Sequence, residues 1–208
     1  MVSSNLTRWS GLAALIGGVL FVVLAVVEPL VFGNQPYSEA AATGAWIVVQ
    51  GTYIVAAVLI GLGLIGLYLY QAQQAGTLGL IAFLVTFIGG IMAAGSSWSE
   101  TFFGAWLAGA APELLDADPA GVLIAGILLS YALFAVGWFL FGLASLRAEV
   151  LPRGAAILLM IGALVFAVVS VLDLPFAGVL FGAALAWMGY GLWSGAAHEP
   201  RLMAEAAT

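Results

Sequence analysis

The sequence predicts an all-α, polytopic membrane protein with six transmembrane helices, arranged as three tandem helical hairpins in parallel orientation. The 208 residues are 64% hydrophobic and 7% charged, with a mean hydropathy of +1.19. A soluble domain carries about 25% charged residues. Six apolar runs each reach the roughly 20 residues that a bilayer-spanning helix needs. One short motif also recurs three times along the chain.

The six spans follow one another with short connections. They are predicted at about 10–32, 45–70, 78–104, 121–146, 154–173 and 176–195. The connections are then 33–44, 71–77, 105–120, 147–153 and 174–175. A cleaved signal peptide is the alternative for the first run. That run is longer than a usual signal h-region and carries the first copy of the motif, so we expect it to be retained.

Each odd-numbered span carries the repeated motif, an Ile-Gly pair, and has an acid 11 residues after the first glycine of the motif. The three glycine–acid pairs are Gly17 with Glu28, Gly89 with Glu100, and Gly162 with Asp173. The copies are offset by 72 and 73 residues. Each copy therefore predicts the start of one out-and-back helical hairpin.

The hairpin repeats cover about 8–75, 76–150 and 151–196, within a single membrane domain 1–208 that ends in a polar tail, 197–208. Two spans per hairpin keep every copy in the same orientation, so the repeats are parallel and not inverted. Packing around a pseudo-threefold axis and packing in a row both remain open.

Charge predicts the orientation. With six spans, the four basic residues Arg8, Arg147, Arg153 and Arg201 fall on one side, which the positive-inside rule makes cytoplasmic. We therefore expect a multi-pass protein of the bacterial cytoplasmic (inner) membrane with both termini in the cytoplasm. The opposite side collects seven acids: Glu28, Glu39, Glu100, Glu113, Asp116, Asp118 and Asp173.

The motif glycines and acids share helix faces, because 11 residues make very nearly three helical turns. Glycine on a membrane helix usually marks close helix packing, so we expect Gly17, Gly89 and Gly162 at helix contacts. The acids then point toward the bundle. The third span is the best candidate to line a wet path, since Ser96 precedes Glu100 on this face and the corresponding faces of the first and fifth spans are apolar.

Glu28, Glu100 and Asp173, with Ser96, are the candidate cation, proton or ligand residues. A carboxyl group in an apolar span holds a proton, shares a bound cation or meets water. Water is the favoured interpretation, because the acids lie near the far boundary from the arginines. Gln50 and Ser130 are expected to hydrogen-bond to neighbouring helices, since both are polar within apolar spans.

Composition excludes several classes of site. The chain has no Cys, and its one His, His198, lies in the polar tail, so we expect no metal, haem or other cofactor. The net charge of −6 and the absence of Lys argue against nucleic acid. Ser96, Ser97 and Ser99 lack the base that a serine nucleophile needs, so no catalytic residue is proposed.

The acids of the 105–120 connection do not form a calcium loop. Glu113, Asp116 and Asp118 lack the glycine and terminal glutamate of an EF-hand. We instead expect Asp118 to cap the fourth span. Ser38 is expected to cap an extension of the second span in the same way.

The stretches Pro112–Pro119 and Leu146–Arg153 resemble those of uncharacterised six-helix bacterial integral membrane proteins. The resemblance covers most of the chain and implies no activity. The stretch Glu100–Phe103 is similar to the acid–phenylalanine motif of membrane-embedded isoprenoid cyclases of the lycopene cyclase type. The acidic pair and proline of that motif are missing here.

Three functions follow as hypotheses. The first is a non-enzymatic membrane protein, either an accessory or scaffold subunit or a binder of a lipid-like ligand between helices. The second is a cation or proton channel or transporter with an outer carboxylate ring. The third is an acid-initiated isoprenoid cyclase acting through Glu100. The expected partners are the lipid bilayer and a membrane protein or second copy of the chain.

Overall fold

The computed structural model describes residues 4–33, 35–119, 121–172 and 174–195. Within these ranges every regular element is a helix, which confirms the all-α class. The elements are α1 (Ser4–Phe32), α2 (Tyr37–Ala41), α3 (Gly44–Trp98), a π-helix (Ser99–Gly104), α4 (Ala105–Ala110), α5 (Pro112–Leu115), α6 (Val122–Ala148), α7 (Arg153–Val171) and α8 (Val179–Ser194).

Four helical segments are apolar and long enough to cross a bilayer. They are Asn5–Phe32, Gly44–Ala110, Val122–Ala148 and Arg153–Val171. α8 is also apolar but shorter. These lengths and this composition are those of a membrane-embedded protein.

The α3 helix reverses direction at Gly76. This residue has φ +55° and ψ −144°, a backbone conformation that only glycine adopts readily. The rings of Tyr68 and Phe83 consequently stack with centroids 4.4 Å apart. Along an unbroken helix they would be about 22 Å apart at 1.5 Å per residue. The halves of α3, 44–75 and 77–98, therefore form a hairpin.

The predicted connection at 71–77 is wrong as a loop. The chain stays helical up to and beyond Gly76, because this one residue supplies the whole reversal. The connections 33–44 and 105–120 contain the short helices α2, α4 and α5. The helix α6 begins after Gly121 without a side-chain cap, so Asp118 is not its N-cap.

The long helices contact one another in a closed circuit. α1 packs against α3 and α8, α3 packs against α6, and α7 packs against α6 and α8. Gly17, Gly89 and Gly162 lie at three of these contacts. A Cβ atom at each would approach Ile60, Phe134 and Phe181 within 2.7 to 2.9 Å. Such small residues let membrane helices pack closely.

An aromatic layer fills the middle of the circuit. The Phe21 ring lies 5.6 Å from that of Phe166 and 5.3 Å from that of Phe181. Phe134 lies 4.9 Å from Phe181, and Trp138 lies 5.2 Å from Phe181. Rings of α1, α6, α7 and α8 thus meet in one layer. Edge-to-face and tilted contacts of this kind stabilise beyond the area they bury.

Candidate functional site

The two ends of the bundle differ in charge. We call the end that carries Glu28 and Glu100 the acidic end, and the end that carries Arg8, Arg147 and Arg153 the arginine end. Arg8 and Glu28 stand on one helix, about 30 Å apart at 1.5 Å per residue. Asp173, the third predicted acid, lies outside the described residues, as do Arg201 and His198 of the tail.

The Glu28 carboxylate is bound from the first half of α3. Its Oε1 accepts a hydrogen bond of 2.9 Å from the side-chain amide of Gln50. Its Oε2 accepts one of 2.9 Å from the hydroxyl of Tyr53. Gln50 and Tyr53 are three residues apart and so share a helix face. The expectation that Gln50 bonds a neighbouring helix is confirmed. The interpretation in which Glu28 meets only water is wrong.

Ser130 behaves differently from Gln50. Its hydroxyl donates to the carbonyl of Gly126 in its own helix, at 2.8 Å, so the expected bond to a neighbouring helix is wrong. The reason is local, because the turns of α6 just before Ser130 are exposed. The hydroxyl groups of Ser and Thr in helices commonly donate to the backbone carbonyl one turn earlier in this way.

The second carboxyl, Glu100, lies in the π-helix Ser99–Gly104. π-helical turns are rare and are frequent at functional sites. The hydroxyl of Ser96 donates to Glu100 Oε1 at 3.2 Å. The backbone carbonyl of Glu100 accepts a 3.0 Å hydrogen bond from the indole N–H of Trp46. This bond ties the start of α3 to the π-helix and fixes the backbone position of Glu100.

Glu28 and Glu100 converge. Their carboxyl groups are close enough to interact electrostatically, and both also act on the phenol of Tyr37. The cluster of Glu28, Glu100, Gln50, Tyr53 and Ser96 forms what we call the carboxyl site. Two carboxyl groups with phenol and amide donors can bind a cation or an amine, or hold a proton between them.

Tyr37 covers the carboxyl site from the acidic end. It begins the short helix α2, and its ring packs edge-on against Trp46 with centroids 5.1 Å apart. Burial raises the pKa of the Tyr37 phenol above its usual range, and the charges of Glu100 and Glu28 add to the effect. The Tyr37 hydroxyl therefore stays protonated and remains a donor at the top of the site.

A clasp between α2 and the end of α5 holds this cover. Asp116 Oδ1 accepts the backbone N–H of Ser38 at 3.0 Å, and Oδ2 accepts its hydroxyl at 2.6 Å. These two bonds hold the pKa of Asp116 below its ordinary value. The expected capping role of Ser38 is wrong, because its hydroxyl donates to Asp116 and Pro36 stands at the N-cap of α2.

The aromatic layer closes the site toward the arginine end. Phe21 stands seven residues before Glu28 on α1, which is about 10 Å along the helix. Its ring meets that of Tyr53 edge-on at 5.5 Å. The carboxyl site thus has aromatic side chains above and below it.

The side of the site toward α6 is open. All eight residues from 122 to 129 are exposed. Eight residues exceed two helical turns, so no face of this part of α6 is covered. Among the described residues, a Cβ at Gly95 or Gly126 would have no neighbour within 4 Å, so the helix faces that carry these two glycines are uncovered.

A groove of about 310 Å³ lies where α6 and α7 separate. Its walls are apolar except for one phenol, and they comprise Leu128, Tyr131, Ala132, Ala135, Ala167, Val168, Val171 and Leu172. The ring of Tyr131 packs edge-on against Phe166, with centroids 6.0 Å apart. Phe166 and Tyr53 both pack edge-on against Phe21, at 5.6 and 5.5 Å, and Tyr53 binds Glu28. A continuous run of aromatic rings therefore connects the groove to the carboxyl site.

A buried side-chain amide lies away from the site. Gln71, in the first half of α3 near the arginine end, is fully buried, and neither atom of its side-chain amide has a hydrogen-bond partner among the described residues. An unpartnered amide in an apolar core is costly. Sequence inspection did not single out this residue.

Comparison with known proteins assigns no relative. No protein family, curated protein or solved structure matches the chain significantly. Among the described residues, no three His, Cys, Asp or Glu side chains gather as a metal centre would require. The function must therefore be inferred from the carboxyl site, its aromatic surroundings and the groove.

Proposed function

We propose that the protein is a non-enzymatic, multi-pass membrane protein that binds a lipid-like molecule between its helices. The polar end of this molecule would lie at Glu28 and Glu100, and its apolar part in the groove between α6 and α7. One observation carries the proposal: a run of aromatic rings connects an apolar groove to a carboxyl site that has aromatic side chains above and below it.

The direction of access supports a ligand from the membrane. Tyr37 and the Ser38–Asp116 clasp cover the carboxyl site at the acidic end. The layer around Phe21 fills the space toward the arginine end. The groove between α6 and α7 opens sideways, where lipid chains surround a membrane protein. A molecule dissolved in the bilayer thus has the most direct route.

The six-span arrangement belongs to the same proposal. The reversal of α3 at Gly76 divides its 55 residues into two bilayer-length helices, and α8 would be a short sixth span. Each motif glycine contacts the helix that follows it: Gly17 with Ile60, Gly89 with Phe134, and Gly162 with Phe181. This regularity supports three parallel hairpins.

The positive-inside rule would place the arginine end and both termini in the cytoplasm of a bacterial cell. The acidic end would then lie at the outer surface of the cytoplasmic membrane. Access of a lipid-like ligand would occur in the outer leaflet, because the groove lies at the acidic half of α6 and α7.

A scaffold role is a second form of this function. The exposed acidic half of α6 would then receive a partner membrane protein or a second copy of the chain in place of a lipid. The presence of Tyr131 in the groove favours a ligand with a polar end.

A cation or proton pathway is the second candidate, and the convergence of Glu28 and Glu100 favours it. Ions would have to pass the aromatic layer around Phe21 and Phe181. Changing both acids to Gln should then abolish ion flux into liposomes. Unchanged flux would exclude the pathway, and absence of flux through the unaltered protein would exclude it as well.

The proposed function is tested by retention of lipids on the purified protein. Native mass spectrometry in mild detergent should detect about one lipid-like molecule per chain. Ala132→Phe, which fills the groove, should reduce retention, while Val48→Phe on an exposed part of α3 should not. Equal retention by both variants would contradict binding in the groove.

A further inference from the structure

The carboxyl groups of the site determine which charge the head group of a ligand can carry. Glu28 accepts hydrogen bonds on both of its carboxyl oxygens. Glu100 brings a second carboxyl group beside it. The chain has no Lys, and the arginines among the described residues lie at the arginine end. An anionic head group would be repelled here, whereas a cationic one would be attracted.

The rings around the site suit the same charge. Tyr37 and Trp46 meet edge-on at 5.1 Å beside Glu100, and Tyr53 lies between Glu28 and Phe21. Aromatic faces attract an ammonium group and are the usual means of recognising quaternary ammonium ligands. Carboxylates and aromatic rings together therefore favour an amine or quaternary ammonium over a neutral polar head.

The size and lining of the groove determine what the remainder of the ligand, beyond its head group, can be. Its volume of about 310 Å³ lies at the lower end of ligand pockets, which span about 300–1,000 Å³. Among its lining residues only Tyr131 carries a polar side-chain atom. An alkyl chain would therefore bury apolar surface along α6 and α7 while its head reached the carboxyl site past Tyr131 and Tyr53.

We propose that the ligand is a membrane amphiphile with a single positive charge, an amine or quaternary ammonium on an alkyl chain, taken up sideways from the bilayer. This inference rests on the proposed function and narrows it to one ligand class. Glu28 and Glu100 bind the charged head, and the groove beside Tyr131 holds the first part of the chain.

Matched amphiphiles test the charge preference. The purified full-length protein in nanodiscs is titrated with dodecylammonium, dodecyltrimethylammonium, dodecanol, laurate and butylammonium, and binding is followed by competition for retained lipid. We expect both long-chain cations to bind at least about tenfold more tightly than dodecanol or laurate, as one charge-assisted contact would give. Butylammonium should bind far more weakly than dodecylammonium.

Substitutions test whether Glu28 and Glu100 cause the preference for cationic amphiphiles. Glu28→Gln and Glu100→Gln should each remove most of the difference between dodecylammonium and dodecanol. Glu113→Gln, an exposed acid of α5, should preserve it. Thermal unfolding without ligand shows whether each variant is folded. Glu100→Gln serves alone if Glu28→Gln fails, because the Glu100 carboxyl accepts from Ser96, one turn earlier in the chain, and not from another long helix among the described residues.

Each outcome decides between the two proposals. If dodecanol binds as tightly as dodecylammonium, the charge inference is overturned and the lipid-binding function stands. If no long-chain compound binds, both fail. If butylammonium binds as tightly as dodecylammonium, the site takes a soluble cation, and the membrane amphiphile is excluded.

Discussion

The hydroxyl of Tyr53 donates to Glu28 Oε2 at 2.9 Å, which joins α3 to α1 at the acidic end of the bundle. The same phenol packs edge-on against Phe21, so it lies between the charged group and the aromatic layer. A carboxylate in an apolar bundle requires donors to compensate for lost hydration. Tyr53 and Gln50 provide them from a single face of α3.

Removing the Tyr53 hydroxyl should destabilise the bundle. Tyr53→Phe leaves one oxygen of Glu28 without this donor, and we expect a loss of about 1–3 kcal/mol in the free energy of unfolding. Unfolding in detergent measures it. Tyr190→Phe, at an exposed tyrosine, is the control and should change little. In the Glu28→Gln background, Tyr53→Phe should reduce the free energy of unfolding by less than it does in the unaltered protein. If the losses caused by the two substitutions simply add, the hydrogen bond does not stabilise the bundle.

Adjacent glycines give a sharper test of the packing. A Cβ on Gly89 would lie 2.8 Å from the amide nitrogen of Phe134, whereas one on Gly90 would meet nothing within 4 Å. We expect Gly89→Ala to destabilise by about 1–3 kcal/mol through overpacking. Gly90→Ala should stabilise by up to about 1 kcal/mol through helix propensity. Equal effects in thermal unfolding would contradict the close contact.

The sequence predicted the helices and the helix face on which each acid lies, because both depend on local patterns. Apolar runs of bilayer length are visible without a structure, and the spacing from Gly17 to Glu28 places both on one helix face. Gln50 was expected to bond another helix, since a buried amide needs a partner. Its partner was not predicted, because the distance between two helices depends on the packing of the whole bundle.

The cover of the site was not visible in the sequence. Ser38 and Asp116 are 78 residues apart, and each had a plausible local role. The π-helix at Glu100 also lacked a sequence signal, apart from hydroxyl side chains that bond to their own helix, such as Thr101 to the Ser97 carbonyl. The separation of α6 from its neighbours depends on tertiary packing, which a uniformly apolar helix does not reveal.

The Ser38–Asp116 clasp should depend on pH. Hydrogen bonds from Ser38 lower the folded pKa of Asp116, so the contribution of the clasp to stability is fully present above the unfolded pKa of about 3.8. This contribution is lost as the pH falls through the lower folded pKa.

Amide exchange of α2 should therefore be faster in Asp116→Asn than in the unaltered protein at neutral pH. The difference should vanish in strong acid, and Asp118→Asn should exchange normally. Slow exchange in Asp116→Asn at neutral pH would exclude the clasp.

Gln71 should be replaceable by an apolar residue of similar size. Its side chain is fully buried, and its amide atoms have no hydrogen-bond partner within the described part of the chain. Gln71→Met removes this cost, so we expect a gain of about 1–3 kcal/mol in the free energy of unfolding. Gln74→Met, an exposed residue of the same helix, is the control. A loss of stability in Gln71→Met would show that the amide binds water or another polar group inside the bundle.

The reversal of α3 predicts the side of the membrane on which its middle lies. The chain has no Cys, so single cysteines can be labelled without a background. If Gly76 marks a turn between two spans, Gln74→Cys should react from the same side as Glu149→Cys at the arginine end. Glu39→Cys and Glu113→Cys should react from the other side. A membrane-impermeant maleimide, applied to intact cells or inverted vesicles, distinguishes the sides. If the maleimide labels Gln74→Cys from the same side as Glu113→Cys, α3 does not cross the membrane twice, and the six-span arrangement is wrong.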